Sequence, residues 1–243
     1  MKRFYRTVSV DLADDGFGVS LDGKPVKTPR RATLALPTRA LAEAVAREWR
    51  AQTTVVDPAT MPLTKLANTA VDGVIRRRAE VVDQIVAFAH HDHLCYRAEG
   101  PAELVRRQSL AWDPLLDWAA ERYGARLATA IGITPIAQPS RAIAALGRAV
   151  ESRTAYELAA LHVAASICGS LVLALALADG RLGAADAFVL SQLDERFQAE
   201  KWGLDPQAES RTRRLAEELA AADRLLGLLQ HLPLPHEGRG EGG

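Results

Sequence analysis

The sequence predicts an α+β protein, in which a small, β-rich N-terminal α+β domain precedes a larger multihelical domain. Apolar and polar residues alternate within the first 36 positions, whereas apolar residues recur at helical spacing from Leu63 onward. Strands that come first and helices that follow indicate segregated layers rather than a doubly wound sheet. We therefore predict the α+β domain, with β-hairpins, over residues 1–75, the multihelical domain over residues 76–231 and a disordered tail over residues 232–243.

The N-terminal elements follow from strand, turn and cap signals. Residues 17–21 alternate between apolar and small or polar side chains, which is typical of a half-buried strand. Asp22 and Gly23 supply the positive-φ positions of a tight hairpin turn. Thr38 is a good N-cap for the helix that follows it. Short strands are also predicted over residues 24–28, 33–36 and 55–56.

The helical part begins and ends at recognisable residues. Asp113-Pro114 predicts a helix start, because a capping acid precedes proline at the first helical position. Ser140 is predicted to cap the next helix. Thr154 is predicted to open one long apolar helix that continues to residue 178. Its alanines and polar side chains favour a buried central helix, so we predict no membrane insertion. A final amphipathic helix is predicted over residues 208–229.

Composition excludes several classes of protein. The chain has 243 residues, 48% of them hydrophobic, and its 30 basic residues equal its 30 acidic ones. A nucleic-acid-binding domain usually carries a basic excess, so we predict no nucleic-acid partner. Cys95 and Cys168 lie far apart in apolar contexts, as expected for reduced thiols in a cytosol-like compartment. The N-terminus resembles neither a signal peptide nor a transit peptide.

The His-rich segment at residues 90–95 is the one candidate for catalytic chemistry. His90, His91, Asp92 and His93 are residue types that bind zinc, which leaves a metal-dependent hydrolase as an alternative function. Adjacent residues on a helix point about 100° apart, so few of these side chains could converge on one ion. We therefore predict no metal site, no cofactor and a polar helix end beside a buried Cys95. No nucleophile elbow or dinucleotide loop accompanies it.

An acidic and aromatic segment is the best candidate for a binding surface. Within residues 179–205 we predict one amphipathic helix that contains Phe188 and Phe197 and ends at Gly203. A rigid aromatic side chain flanked by hydrogen-bond acceptors is typical of a protein-binding hot spot. The predicted partner-binding residues are Asp194, Glu195, Gln198, Glu200 and Trp202.

Nine segments, in order along the chain, resemble one known family. They are RFYRTVSV (3–10), LDGKPVKTP (21–29), LALPTRALAEAVAREW (34–49), TMPLTKLANTAVD (60–72), LCYRAEGPAELVRRQ (94–108), WDPLLDW (112–118), GITPIAQP (132–139), LHVAASICGSLVLALAL (161–177) and LDERFQAEKWGLD (193–205). Most are unspecific alone, but their order is specific. The sequence is thereby identified as a member of the Atp-twelve type of ATP synthase assembly chaperones.

This resemblance implies a two-domain fold and a non-enzymatic chaperone. The expected partner is the unassembled alpha subunit of the ATP synthase catalytic head, which the chaperone would keep from aggregating until alpha pairs with beta. The resemblance also implies that an acidic residue of the last segment is important, which is either Glu195 or Glu200. We expect a monomer in the free state, in a bacterial cytoplasm, or in the mitochondrial matrix if the chain is a mature eukaryotic form. A helical adaptor with another partner is the remaining alternative.

Overall fold

The computed structural model describes residues 1–13, 15–203 and 206–230, without the side chains of residues 206–208. The tail predicted to be disordered, residues 232–243, lies outside the described residues. The architecture is α+β, as the sequence predicts: a small N-terminal sheet and a larger helical portion. Whether the chain divides into domains at residue 75 stays a prediction.

The N-terminal sheet has three antiparallel strands in the order β1 (Val8–Ala13), β2 (Gly16–Leu21) and β3 (Lys24–Pro25). The hairpin turn between β2 and β3 has positive φ at Asp22 and Gly23, as predicted. The Asp22 carboxylate accepts the backbone N–H groups of Thr7 and Arg6 at 2.8 and 3.0 Å. These hydrogen bonds, with that of the Thr7 hydroxyl, lower the pKa of Asp22.

The other predicted strands are shorter than the sequence suggests. The return strand ends at Pro25 rather than at residue 28, because Thr28 and Arg31 enter a turn in which the Thr28 N–H bonds the Ala32 carbonyl. Residues 33–36 and 55–56 contribute isolated bridges instead of strands. These bridges join Lys27 to Thr33, Phe17 to Leu36 and Lys2 to Val55.

The rest of the described chain is mainly helical. Helix α1 spans Arg39–Ala51 and is capped by the Thr38 hydroxyl, as predicted. A π-helical segment, Ala70–Val74, continues α2 toward α3. A two-stranded parallel sheet pairs β4 (Tyr96–Arg97) with β5 (Ala130–Ile131). The remaining helices are α2 (Pro62–Thr69), α3 (Arg78–His90), α4 (Ala102–Tyr123), α5 (Ser140–Glu151), α6 (Ala155–Cys168), α7 (Leu171–Ala178), α8 (Ala184–Ser191), α9 (Leu193–Trp202) and α10 (Pro206–Leu229).

Two predicted helix starts are wrong. Asp113-Pro114 lies in the middle of α4, and Asp113 pairs with Arg97 at 2.7 Å instead of capping. Pro114 has no N–H, so only the bond to the Leu110 carbonyl is lost, and Leu110 is exposed on the protein surface. Ser140 is the first residue of α5 rather than its cap, and Pro139 occupies the cap position.

Two helices predicted as continuous are each divided. The apolar helix breaks at Gly169, whose left-handed φ of 61° ends α6, and the Ser170 hydroxyl accepts the Leu173 N–H to begin α7. The acidic–aromatic segment breaks at Gln192, so Phe188 lies on α8 while the predicted partner-binding residues lie on α9. Each break therefore replaces one predicted long helix by two shorter ones, α6 and α7 in the first case and α8 and α9 in the second.

One hydrophobic cluster connects the sheet to the helices. It contains Val19 and Leu36 from the N-terminal part, Leu158 and Leu173 from α6 and α7, and Leu225 from α10. The Thr38 hydroxyl donates to the Leu228 carbonyl at 2.8 Å and joins the start of α1 to the end of α10. Within residues 1–13, 15–203 and 206–230, no helix combines the length and apolar character that crossing a bilayer requires.

A network of ion pairs and hydrogen bonds lies at the C-terminal end of α7. Asp179 accepts hydrogen bonds from Arg153 at 2.5 Å, from Tyr123 at 2.8 Å and from Arg122 at 3.2 Å. Burial of Asp179 raises its pKa, but the bonds from Arg153 and Tyr123 outweigh burial, so the net pKa is lowered. Asp179 therefore contributes stability above the pKa of an unfolded aspartate, about 3.9, and this contribution is lost as the pH falls through the lowered value.

We expect Asp179→Asn to reduce the free energy of unfolding by about 2–3 kcal/mol at pH 7, because the partly buried Arg153 and the exposed Arg122 lose their charge partner. Urea unfolding at pH 7 and at about pH 3 checks this, and the difference from wild type should shrink at the lower pH. The matched control is Asp117→Asn on the exposed face of α4. Equal losses in both variants, or a difference independent of pH, would contradict the assignment.

Candidate partner-binding surface

Helix α9 has charges that suit its two ends. Asp194 and Glu195 lie in the first turn, where the helix dipole favours acids, and Lys201 lies in the last turn. Gly203 ends the helix with a φ of 87°, and its N–H donates to the Ala199 carbonyl at 2.9 Å. The predicted stop at Gly203 is thus confirmed.

The inner face of α9 packs on α4 through one aromatic side chain. Phe197 is the buried residue of α9. The Arg107 guanidinium of α4 lies 5.2 Å from its ring centroid, and the Lys201 ammonium lies 4.6 Å from it. Cations this close to an aromatic ring are attracted by its quadrupole. Phe197 therefore serves the fold rather than the surface.

Two of the five predicted site residues fasten α9 to α4. Glu200 pairs with Arg107 at 2.7 Å, and the hydrogen bonds that Arg107 donates to Glu200 and then to Glu103 raise the pKa of that arginine. Asp194 accepts the Gln108 side-chain N–H at 2.7 Å. Gln108 is completely buried, and its oxygen accepts the Ala98 N–H at 2.8 Å. Asp194 and Glu200 are thus positioning residues with partners in the same chain.

The other three predicted residues form the outer face of α9. Glu195, Gln198 and Trp202 are spaced i, i+3 and i+7, so they lie on one side of the helix. All three are exposed, and Trp202 retains 79% of its accessible surface. Within the described part of the chain, none of the three side chains has a hydrogen bond or an ion pair. We call Glu195, Gln198 and Trp202 the α9 outer face.

Sequence reasoning did not find Arg107 and Gln108. They lie about 90 residues before their partners Glu200 and Asp194, and only the fold brings the two segments together. The run Arg106-Arg107-Gln108 reads as an ordinary polar helix surface. The pairing between helices is visible only in three dimensions.

The His-rich segment serves the fold. Asp92 is fully buried, and its two oxygens accept the N–H groups of Leu94 and Val172 at 3.1 and 3.0 Å. The His93 ring lies edge-on to Trp112, with ring centroids 5.0 Å apart. Among the described residues, no group of three or more His, Cys, Asp or Glu is placed to hold a metal ion. The hydrolase alternative therefore gains no support from this geometry.

The two cysteines are free and buried thiols. Burial raises the pKa of Cys95 and of Cys168 to about 12. Both therefore remain protonated at neutral pH, and a protonated thiol is a poor nucleophile. This matches the apolar contexts in the sequence.

The fold and the α9 outer face define a class: an α+β protein that presents an exposed acidic and aromatic helix face, held in place by the buried Phe197 and by polar contacts to α4. Comparison with known proteins then identifies the family. Residues 2–120 match the family model described as ATP12 chaperone protein. Together with the similar solved structures described next, this match shows that the chain belongs to the ATP12 chaperone family, whose members are ATP synthase assembly chaperones.

Solved structures of similar proteins share the whole fold. The chain is 39% identical to Atp12 from Paracoccus denitrificans, with 94% of this chain and 98% of that chain covered and a TM-score of 0.91. An aspartate-to-lysine mutant of the same protein also matches, at 38% identity, 94% and 97% coverage and a TM-score of 0.91. The Atu1473 protein from Agrobacterium tumefaciens, described as a putative chaperone, is 43% identical, with 94% of this chain and 86% of that chain covered and a TM-score of 0.89.

A eukaryotic relative extends the family beyond bacteria. The mitochondrial protein atp12 of Schizosaccharomyces pombe is 25% identical over 214 residues, which cover 83% of this chain and 74% of that protein. The recognition of the family from ordered sequence segments is therefore confirmed.

Proposed function

We propose that the protein binds the unassembled alpha subunit of the ATP synthase catalytic head and keeps it from aggregating until it pairs with the beta subunit. The role in ATP synthase assembly comes with the family. The choice of alpha as the partner is the proposed step. A subunit that awaits its neighbour exposes a large apolar patch, and such patches promote aggregation.

The observation that carries this proposal is the α9 outer face. An exposed tryptophan beside an unpaired acid has the composition of a binding hot spot, and Trp202 is 79% exposed. The side chains that could compete with a partner for this face, Arg107 and Gln108, bond instead to Glu200 and Asp194. Glu195 is thus the acid left available to a basic residue of a partner.

The protein is proposed to act by binding alone, in the bacterial cytoplasm. The thiols of Cys95 and Cys168 are buried, and the Asp92 carboxylate accepts a hydrogen bond from the Val172 N–H. These three groups therefore serve the fold rather than catalysis. Transfer of the bound alpha subunit to beta requires an interface that can dissociate. An interface with one aromatic anchor and a polar rim meets this requirement.

We expect alpha subunit co-expressed with this protein to remain in the soluble fraction, and alpha expressed alone to aggregate. The readout is the soluble fraction of alpha after centrifugation. The matched control is co-expression with a Glu195→Lys, Trp202→Ala variant, which should leave alpha insoluble. Alpha that aggregates equally with and without the wild-type protein would overturn the proposal.

A further inference from the structure

A groove of about 900 Å³ is lined by residues of α2, α3, α6 and α10 and of the π-helical segment. Its floor is α6, with Ala159, His162 and Val163 facing the space. Helix α6 packs against the π-helical segment, α3 and α10. Helix α2 contributes the adjoining wall through residues such as Leu66. We call this space the α6 groove.

The floor of the α6 groove suits an apolar ligand surface. Burial lowers the pKa of His162, so its imidazole is neutral at pH 7. The other floor residues, Ala159 and Val163, are apolar. A volume of this size lies at the upper end of the range for ligand pockets, roughly 300–1,000 Å³, and holds several apolar side chains.

The rim of the α6 groove carries charges of both signs. Glu217, Glu218 and Arg214 lie on α10, whereas Lys65 lies on α2 and Arg77 lies before α3, so the α10 wall has an acidic excess and the other wall is basic. Within the described residues, Glu217, Glu218 and Lys65 form no ion pair. Arg77 has only an exposed contact to Glu80, at 3.5 Å. These opposite charges do not neutralise one another, so a ligand between the walls could pair with both.

The π-helical segment lies along the α6 groove and is an independent sign of function. Its Ile75 N–H donates to the Ala70 carbonyl at 3.0 Å, five residues back, and Gly73 and Val74 line the space. Single turns of π-helix are rare and occur frequently at functional sites. The widened turn displaces the backbone at the wall of the groove.

We propose that the α6 groove binds an amphipathic helix of the client protein. The helix would place an apolar stripe on the α6 floor, an acidic residue toward Lys65 and Arg77, and a lysine or arginine toward Glu217 and Glu218. Helix-in-groove binding uses apolar anchors at i, i+3, i+4 and i+7 in this manner. This inference rests on the proposed function, because the client is the alpha subunit, and it assigns a second contact surface in addition to the α9 outer face.

The test is site-specific photo-cross-linking of the full chain to isolated alpha subunit. A benzophenone amino acid at Glu217 should cross-link to one helical segment of alpha that has the stated charge pattern. The matched control places the same amino acid at Ala220, which is exposed on α10 but does not line the groove. Ala220 should give little product.

Charge reversal supplies the second readout. The double variant Glu217→Lys, Glu218→Lys should weaken alpha binding at least about fivefold, because it places two cations where a basic residue of the bound helix is proposed to lie. Both side chains are exposed, so their replacement should leave the fold intact. Reversing the basic residue of the cross-linked helix to glutamate should restore binding to this variant. Rescue of this kind shows direct contact rather than an effect on folding.

Each failure has a distinct meaning. If wild type does not bind alpha at all, the proposed function fails and the inference fails with it. If wild type binds alpha but Glu217 gives no more product than Ala220, the α6 groove is not the contact surface. A Glu217 cross-link to residues 231–243 of this chain, or to a second copy of it, would equally overturn the proposal.

Discussion

Replacing Glu195 with lysine is expected to abolish most of the affinity for alpha subunit while the fold stays intact. Glu195 is exposed on the outer face of α9 and has no ion pair within the described residues. The substitution changes the local charge by two and places a cation where a basic partner group is proposed to bind. Such a change typically costs at least about tenfold in the dissociation constant, or about 1.4 kcal/mol.

The experiment compares three charge reversals of the same size. Binding to isolated alpha and thermal unfolding would be measured for Glu195→Lys, for Glu200→Lys and for Glu121→Lys, an exposed control on α4. Glu200→Lys removes the pair with Arg107 at 2.7 Å, so it should loosen α9 and weaken binding less than Glu195→Lys does. If Glu195→Lys binds alpha like wild type and Glu200→Lys does not, the division into inner and outer faces is wrong.

Replacing Asp92 with alanine is expected to cause a large loss of stability. Asp92 is fully buried, and its carboxylate accepts the N–H of Leu94 and the buried N–H of Val172 in the first turn of α7. Alanine leaves both buried N–H groups without these acceptors. Since each such group costs about 1–3 kcal/mol, we expect a total loss of about 3–5 kcal/mol in the free energy of unfolding.

Asparagine at the same position should be less harmful than alanine, because its amide oxygen can still accept one of the two N–H groups. Urea unfolding of Asp92→Ala, Asp92→Asn and the exposed control Asp83→Ala gives the comparison. If Asp92→Ala unfolds like the Asp83→Ala control, Asp92 does not hold the α6–α7 junction, and a different role for the His-rich segment would have to be considered.

Local signals in the sequence predicted the elements that are set locally. Asp22-Gly23 forms the expected turn, Thr38 caps α1 and Gly203 ends α9, because each of these depends on a few neighbouring residues. Pro114 was misleading because a helix can lose one hydrogen bond on its exposed side and continue. No local signal distinguishes an Asp-Pro pair that starts a helix from one that lies within a helix.

The break at Gly169 depends on tertiary contacts. Glycine within an apolar segment is also compatible with close helix packing, so its sequence context does not decide between a notch and an end. The structure supplies the missing contacts: the Gly169 carbonyl accepts the His93 N–H at 3.0 Å, and Asp92 accepts the Val172 N–H. Both partners come from a segment about 80 residues earlier.

The candidate site also has one feature that the local sequence determines and one that depends on tertiary contacts. Periodicity placed Glu195 and Gln198 on one side of a helix, and α9 has that geometry. It could not separate Glu195 from Glu200, because the difference lies in Arg107 on α4. The preference for Glu195 as the contact residue is a proposal from this pairing, as is the role of the α6 groove.

The role as an alpha-subunit chaperone is tested by assembling a purified complex between this protein and isolated alpha subunit and then adding beta subunit. We expect a one-to-one complex that keeps alpha soluble and from which beta releases the chaperone as alpha and beta pair. Alpha that shows no association with this protein in solution, or a complex that beta fails to displace, would contradict it.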